Sequence, residues 1–407
     1  MRPEGRIFPV LEPVPSGMFR KRFSTFIRPM RRFLKTVVPG LLGLMTLGGA
    51  LSCKKEYSDD APLTPTYGAH LYISSNNQIL RALDPATGTQ QWEYRLGADL
   101  STTPFADDKA LYVATRNGIL HVLDPNTGIP QKQLLLKQGG ESSPIGDSTY
   151  LYYGGTVDSF FAFNPANNTT RWSYGTASPV PGSPLRYQNQ LFFGTVDSGF
   201  FALNKTNGAL LWRNDSNIIT GAFRSSPTRM GNRIYATNTD GYLYAFNQTN
   251  GRILWRYQTQ GPIYSSPAAL NGSIMFGSND YNFYCVDSTT RLPRFQRKTA
   301  ERIYSSPVFA NDKVFVGSYD NNLYAYSFIN GDPKWSFKTG RIIQSSPLIV
   351  NNSLYVGSDD GYLYALDVET GALLWKYNLS GQIVTSPVYR GDDGLTYYPT
   401  VSGASKR

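Results

Sequence analysis

One short motif returns along this chain at a nearly constant interval. Successive prolines of a Ser/Thr-Pro pair are 40, 40, 43, 40, 40, 40 and 40 residues apart. A period of about 40 residues, held over most of a chain, indicates a repeat architecture in which each repeat is one structural unit. The prolines are Pro104, Pro144, Pro184, Pro227, Pro267, Pro307, Pro347 and Pro387.

Each unit contains four short segments that favour β-strands. In the seventh unit they span 345–350, 354–358, 362–366 and 373–377. Turn signals separate them, and Asp360-Gly361 is typical of a tight hairpin because such a turn needs positive φ. Four antiparallel strands per repeat form one blade of a β-propeller. The sequence therefore predicts an all-β, eight-bladed propeller.

The two ends of the chain predict how the ring closes. The first unit has no Ser-Pro segment before its first strand-like run, 71–73, and the last unit ends soon after Ser386-Pro387. Each end therefore supplies part of a blade. We expect the C-terminal segment to join the N-terminal strands in one composite blade, which removes a free sheet edge.

A second motif lies at the turn before the outer strand of each unit. Residues 82–92 read Ala-x-Asp-x-x-Thr-Gly-x-x-x-Trp, and 365–375 match every position. This resembles the tryptophan-docking motif of propellers in the pyrroloquinoline-quinone (PQQ) repeat family. The resemblance implies structural roles for Gly88, Gly371 and the aromatic ring. The ring position holds Trp92, Lys132, Trp172, Trp212, Trp255, Phe295, Trp335 and Trp375.

The N-terminal segment is interpreted as a leader. Residues 1–52 carry nine Lys or Arg and two acids, and so account for most of the net charge of +10. Residues 30–52 resemble a signal peptide that ends in a lipoprotein cleavage box, which implies lipidation of Cys53. We expect translation to start at Met30, a lipidated tether over 53–68 and the propeller over 69–403. The near-neutral body gives no reason to expect nucleic-acid binding.

Catalytic motifs are sparse. The chain has two histidines and no Cys-Cys pair, whereas PQQ dehydrogenases of this fold commonly carry such a pair beside the quinone, together with a Ca²⁺ site. The acids Asp84 and Asp367 repeat at one turn and so are expected to cap it, and Cys285 is expected to replace a core Ala. We predict no catalytic residue, no metal and no cofactor, neither PQQ nor Ca²⁺.

Binding residues are sought where the repeats diverge. Two places before each Pro a hydroxyl recurs in most units, which indicates backbone bonding. Three places before Pro the residues differ, and specificity can be encoded there. The 43-residue interval adds a longer loop, 213–224, whose apolar residues are expected either to contact a protein or to pack on the channel mouth. The candidates are Asp99, Glu141, Arg224, Tyr264, Arg302, Tyr304, Arg341, Gln344, Ile218, Ile219 and Phe223.

Fold, size and anchor together resemble the lipoprotein subunit of the outer-membrane β-barrel assembly machinery, of the BamB type. The resemblance implies a monomeric, non-catalytic scaffold at the outer membrane that binds envelope proteins such as a barrel-assembly protein. One alternative is a propeller that binds glycans or other ligands in the periplasm or at the cell surface. The other is a PQQ-dependent dehydrogenase with a reduced site.

Overall fold

The computed structural model describes residues 68–100, 102–140, 142–398 and the backbone of 405–406. Cys53, Glu141, the predicted leader and most of the tether lie outside these residues. Within the described ranges the regular structure is entirely β-strand. No helix formed by these residues is long and apolar enough to cross a membrane.

Thirty-four strands follow one another along the chain. They are β1 (His70–Ser74), β2 (Ile79–Leu83), β3 (Gln90–Arg95), β4 (Phe105–Ala106), β5 (Leu111–Ala114), β6 (Ile119–Leu123), β7 (Pro130–Leu135), β8 (Ile145–Gly146), β9 (Leu151–Gly154), β10 (Ser159–Asn164), β11 (Thr169–Gly175), β12 (Leu185–Tyr187), β13 (Gln190–Gly194), β14 (Phe200–Asn204), β15 (Leu210–Asn214), β16 (Thr228–Met230), β17 (Arg233–Thr237), β18 (Tyr242–Asn247), β19 (Ile253–Gln258), β20 (Ala268–Leu270), β21 (Ser273–Gly277), β22 (Asn282–Asp287), β23 (Pro293–Lys298), β24 (Val308–Ala310), β25 (Lys313–Gly317), β26 (Asn322–Ser327), β27 (Pro333–Lys338), β28 (Leu348–Val350), β29 (Ser353–Gly357), β30 (Tyr362–Asp367), β31 (Leu373–Asn378), β32 (Val388–Arg390), β33 (Thr396–Tyr398) and β34 (Ser405–Lys406).

The strands form eight antiparallel sheets, which confirms the predicted propeller. Seven sheets are consecutive four-strand blades, from blade 2 (β4–β7) to blade 8 (β28–β31). Blade 1 is composite, as expected, because the C-terminal β32 pairs with the N-terminal β1. Two further strands, β33 and β34, extend this sheet beyond β32.

Strand alternation explains the core. The second and third strands of each blade are buried on both faces, and the outer strand alternates, as in β3, whose Trp92 is 8% exposed between exposed neighbours. Cys285 occupies a core position with no exposed surface, and burial raises the pKa of its thiol to about 11. Its predicted role as a small core residue is confirmed.

The docking motif joins each blade to the next. The Asp84 carboxylate accepts hydrogen bonds from the backbone N–H groups of Ala86 and Thr87, at 2.9 and 2.8 Å. The Trp375 indole Nε1 donates to the Pro85 carbonyl at 3.1 Å, from blade 8 to blade 1. Gly88 has φ of 71°, and a Cβ there would lie 2.5 Å from the Trp375 ring. The turn therefore needs glycine for its backbone conformation and also for close approach of the ring.

Lys132, which replaces the ring in blade 2, keeps a bond to the next blade. Its ammonium donates to the Ala166 carbonyl at 3.0 Å. The corresponding turn position in blade 3 holds Asn168 with φ of 58° instead of glycine. This junction therefore replaces an indole–carbonyl bond with an ammonium–carbonyl bond.

Candidate functional site: the channel mouth

The innermost strands surround a central cavity of about 580 Å³. The Ser/Thr-Pro pairs and the first residues of the inner strands line it, with Tyr398 of β33. Arg186 and Arg229 are its charged lining residues. The Arg229 guanidinium lies 3.4 Å from the centre of the Tyr187 ring and donates to Gln248 at 2.8 Å.

The serine immediately before Pro has a structural role in six of the eight units. Its hydroxyl accepts a hydrogen bond from the backbone N–H at the same position of the preceding blade. Ser266 N–H donates to Ser306, and Ser306 N–H donates to Ser346, each at 3.0 Å. The hydroxyls two places before Pro bond to the backbone too: Ser345 donates to the Gly357 carbonyl at 2.8 Å. The expectation that this second set of hydroxyls satisfies backbone groups is confirmed except at Ser305, whose hydroxyl has no partner among the described residues.

Two variable positions of each blade meet at the channel mouth, the end of the channel where the inner strands begin. One lies three places before Pro and the other twelve places after it. In blade 7 these are Tyr304 and Tyr319, and the Tyr319 N–H donates to the Arg302 carbonyl at 3.0 Å. That bond holds the second position against the loop that carries the first. In blade 8 the pair is Gln344 and Asp359, tied in the same way through the Ile342 carbonyl at 3.0 Å.

Three tyrosines from blades 6 and 7 pack together at this mouth. The ring centroids of Tyr264 and Tyr304 are 4.7 Å apart, and those of Tyr304 and Tyr319 are 4.8 Å apart. The Arg302 guanidinium lies 4.7 Å from the Tyr319 ring centroid, a cation–π arrangement. All three rings are partly exposed. They offer a partly exposed aromatic surface at the mouth.

A polar chain continues from the tyrosines into blade 8. The Tyr319 hydroxyl donates to Gln344 Oε1 at 2.7 Å, and Gln344 Nε2 donates to Asp359 Oδ2 at 2.9 Å. Asp359 is 7% exposed, and its Oδ1 has no hydrogen-bond partner among the described residues. Burial raises the pKa of this carboxyl above its usual value. A buried acceptor without a donor favours a ligand that supplies one. We call Tyr264, Arg302, Tyr304, Tyr319, Gln344 and Asp359 the channel-mouth cluster.

The remaining polar candidates stand apart from these contacts. Arg341 is exposed, and its charge opposes the rise in the pKa of Asp359. Arg224 is exposed in blade 5 and forms no ion pair among the described residues. Asp99 is exposed and accepts from Gln78 Nε2 at 3.0 Å, which ties it to the blade 1 hairpin.

The longer loop requires a correction. Its apolar residues were expected either to contact a protein or to pack on the channel mouth, but Ile219 is 5% exposed and Phe223 is fully buried, so neither offers a surface to a partner. Phe223 stands four places before Pro, where Ile263 and Ile303 are also fully buried. Its Cβ lies 2.2 Å from where a Cβ of Gly194 would be, so the ring fills the space between blades. Only Ile218, at 47% exposure, remains accessible.

Tyr319 and Asp359 were not among the predicted residues. The neighbouring Asp360-Gly361 pair forms the expected hairpin turn, in which the Asp360 carboxylate accepts from the Tyr362 N–H at 2.9 Å. The signal that finds Tyr319 and Asp359 is the same divergence between repeats, applied twelve residues after each Pro.

Comparison with known proteins identifies the family to which the chain belongs. The family model described as outer membrane protein assembly factor BamB matches residues 52–138, 129–336 and 239–403. The chain belongs to this BamB family. Among curated proteins, no relative matches significantly.

Solved structures show the same fold at low identity. BamB from Moraxella catarrhalis aligns with a TM-score of 0.63 and 16% identity, covering 73% of this chain and 95% of that one. The computationally designed Ika8 protein aligns at 0.64 and 16%, covering 73% and 94%. A europium-containing methanol dehydrogenase aligns at 0.63 and 12%, covering 75% and 83%. At these identities the likeness establishes the propeller and not an activity.

The described residues that line the channel do not supply a ligand set for the Ca²⁺ that PQQ dehydrogenases carry. No Asp or Glu is among the described residues that line the 580 Å³ cavity. Hard cations such as Ca²⁺ need several oxygen ligands, usually including carboxylates. No group of three or more His, Cys, Asp and Glu suited to a metal occurs among the described residues.

Proposed function

We propose that this protein is a lipid-anchored, non-catalytic scaffold at the outer membrane, and that it binds an envelope protein, such as a barrel-assembly protein, through the channel mouth. The observation that carries the proposal is the channel-mouth cluster. It combines partly exposed tyrosines, an arginine and a buried carboxylate oxygen without a donor among the described residues, on the loops of three adjacent blades. Membership of the BamB family supports the setting in outer-membrane protein assembly.

The chemistry of the cluster suits a protein partner. Tyrosine and arginine are the side chains most enriched where single residues contribute strongly to binding. The tyrosines also lose little conformational entropy on binding, because neighbouring rings already hold them. Asp359 would accept a hydrogen bond from a lysine, an arginine or a hydroxyl of the partner. In blade 1, next to blade 8, Val384 holds the position that Tyr304 holds in blade 7.

Affinity purification of the full-length, lipidated protein from solubilised envelopes tests the proposal. We expect an assembly protein to co-purify with the native chain and to be lost with Tyr304→Ser. The matched control is Val384→Ser, at the same repeat position and 44% exposed, which should retain the partner. Equal recovery with both variants would remove the cluster from the proposal. Failure to recover any assembly protein would count against the assembly role.

Binding of a glycan is the second candidate, and the stacked tyrosines favour it, because sugar rings pack on aromatic faces. Calorimetric titration with neutral oligosaccharides would show heat that disappears in Tyr304→Ser.

Protease treatment of intact cells would distinguish surface exposure from a periplasmic position. Reconstitution with PQQ and Ca²⁺ should give neither a quinone absorbance band nor dye reduction if the scaffold role is correct.

A further inference from the structure

The junction between blades 5 and 6 departs from the other tryptophan junctions. Five of the six tryptophans donate from Nε1 to a carbonyl in the next blade, for example Trp92 to Pro125 and Trp212 to Gln248. Trp255, in blade 5, is 7% exposed, and its Nε1 has no partner among the described residues. A buried donor left unpaired is costly, so this exception needs an explanation.

A tyrosine at the same junction is unpaired too. In the junctions that begin in blades 1 and 8, a tyrosine of the second strand shares the carbonyl with the tryptophan: Tyr355 and Trp375 both donate to Pro85 O, at 3.0 and 3.1 Å. Tyr235 holds that position beside Trp255, with ring centroids 5.7 Å apart, against 5.8 Å for Tyr355 and Trp375. Tyr235 is fully buried, yet its hydroxyl has no partner among the described residues.

The sequence explains why both donors lose their acceptor. The glycine of the docking turn is replaced in blade 6 by Arg291, at φ of 66°. At the preceding junction the turn keeps its glycine, and a Cβ added to Gly251 would lie 2.3 Å from the Trp212 ring. A ring therefore cannot approach Arg291, which has a Cβ, as closely as it approaches glycine. The carbonyl that corresponds to Pro85 O belongs to Ser288, and it accepts instead from Arg233 Nη1 at 3.0 Å.

A cavity of about 610 Å³ opens at this place. Tyr235, Arg233 and Ser288 line it together with the apolar Met230 and Leu254. Trp255 is not a lining residue, but its ring packs beside that of Tyr235, at 5.7 Å between centroids. Its volume lies within the range of sites for small organic ligands.

The charge at the cavity is positive. Asp287 is already engaged by Arg294, which contacts it through two nitrogens at 3.1 and 2.8 Å. Neither Arg233 nor Arg291 forms an ion pair among the described residues. An anionic group in the cavity would therefore meet the unneutralised Arg233 guanidinium beside the Tyr235 hydroxyl, the unpaired donor of a lining residue.

We propose that this cavity binds a small organic oxyanion, a carboxylate or phosphate that carries an apolar group. One oxygen takes the place that the turn carbonyl holds at the other junctions and accepts from Tyr235 Oη and Trp255 Nε1. The Arg233 guanidinium pairs with the anion, and Met230 and Leu254 contact the apolar part. The site lies between two blades and is independent of the channel-mouth cluster.

Nuclear magnetic resonance of the ¹⁵N-labelled protein tests this directly, because each indole N–H gives its own signal. The probes are benzoate and phenyl phosphate, with benzyl alcohol as the neutral comparison, and Trp255→Phe assigns the signal. We expect the Trp255 indole proton to move downfield with at least one anion and not with benzyl alcohol, while the Trp375 signal stays in place. No movement with either anion, or equal movement with benzyl alcohol, would overturn the proposal.

Paired variants separate binding from folding. Tyr235→Phe removes a hydroxyl that has no partner, so the protein should fold normally while anion affinity falls by about tenfold or more, the loss of one charge-assisted hydrogen bond. Tyr355→Phe is the matched control at the junction between blades 8 and 1, and it should leave affinity unchanged. Arg233→Gln should lower the affinity of the protein for both benzoate and phenyl phosphate. Unaltered affinity in Tyr235→Phe and Arg233→Gln would show that the anion binds elsewhere.

Discussion

Replacing the glycine of a docking turn should cost more stability than replacing an otherwise equivalent glycine. Gly371 and Gly97 have nearly the same backbone conformation, with φ of 72° and 74°. A Cβ at Gly371 would lie 2.6 Å from the Trp335 ring, whereas a Cβ at Gly97 would meet nothing within 4 Å. The two alanine variants therefore share the backbone strain and differ in the contact between blades.

The magnitudes follow from these two costs. Alanine in the left-handed region costs about 1 kcal/mol relative to glycine. Gly371→Ala must also move the Trp335 ring from its position, where Nε1 donates to the Val368 carbonyl at 3.1 Å. Overpacking of this kind adds roughly 1–3 kcal/mol. We expect the free energy of unfolding to fall by about 1 kcal/mol in Gly97→Ala and by about 2–4 kcal/mol in Gly371→Ala.

Equilibrium unfolding in urea measures both values, provided that tryptophan fluorescence and far-ultraviolet circular dichroism give coincident transitions. In a Trp335→Ala background, Gly371→Ala should cost no more than Gly97→Ala does, because the ring that it displaces is absent. Equal destabilisation by Gly97→Ala and Gly371→Ala in the native background would refute the argument that ring approach, and not only positive φ, selects glycine here.

Three further outcomes are expected. Phe223→Ala should lower the free energy of unfolding by about 3–5 kcal/mol, whereas Ile218→Ser should change it by less than about 0.5 kcal/mol; urea midpoints would check both. Asp359→Asn should stabilise the protein at neutral pH, because the raised pKa of Asp359 makes the native state bind its proton more tightly than the unfolded chain does. This gain should shrink as the pH falls through the raised native pKa and should be absent below the unfolded pKa, where both states are protonated. Cys285 should react with iodoacetamide only as fast as the protein unfolds, since it is buried and its pKa is raised, which mass spectrometry would show.

Most of the fold was predictable because the repeat is nearly exact. The 40-residue period and four strand-like runs per unit predict blades, and the incomplete ends predict the composite sheet that the pairing of β1 with β32 confirms. The docking motif predicted correctly that its Asp and Gly are structural. The additional requirement, that Trp375 lies directly over Gly88, depends on contacts between blades that one repeat does not contain.

The channel mouth was predictable in part. Tyr264, Tyr304 and Gln344 could be selected because they vary at a fixed position. Their neighbours Tyr319 and Asp359 follow them by 15 residues in the sequence and meet them only through the fold of each blade. The burial of Phe223 could have been predicted from the sequence. It stands four places before Pro227, the position that Ile263 and Ile303 hold in their units.

Departures from the repeat fall into two kinds, and the difference bears on function. Lys132 replaces a docking ring and keeps a bond to the next blade, so the chain compensates for the change by itself. Trp255, Tyr235 and Asp359 differ, because each keeps a buried polar atom without a partner among the described residues. Folding alone gives no reason to retain such atoms, since an apolar replacement would remove their cost. Other described residues, such as Tyr153 and Ser273, also keep such an atom, so the lack of a partner does not by itself mark a site. What sets Tyr235 and Asp359 apart is their setting, a cavity beside an arginine and a cluster of partly exposed tyrosines, where a group from outside the chain would pair with them.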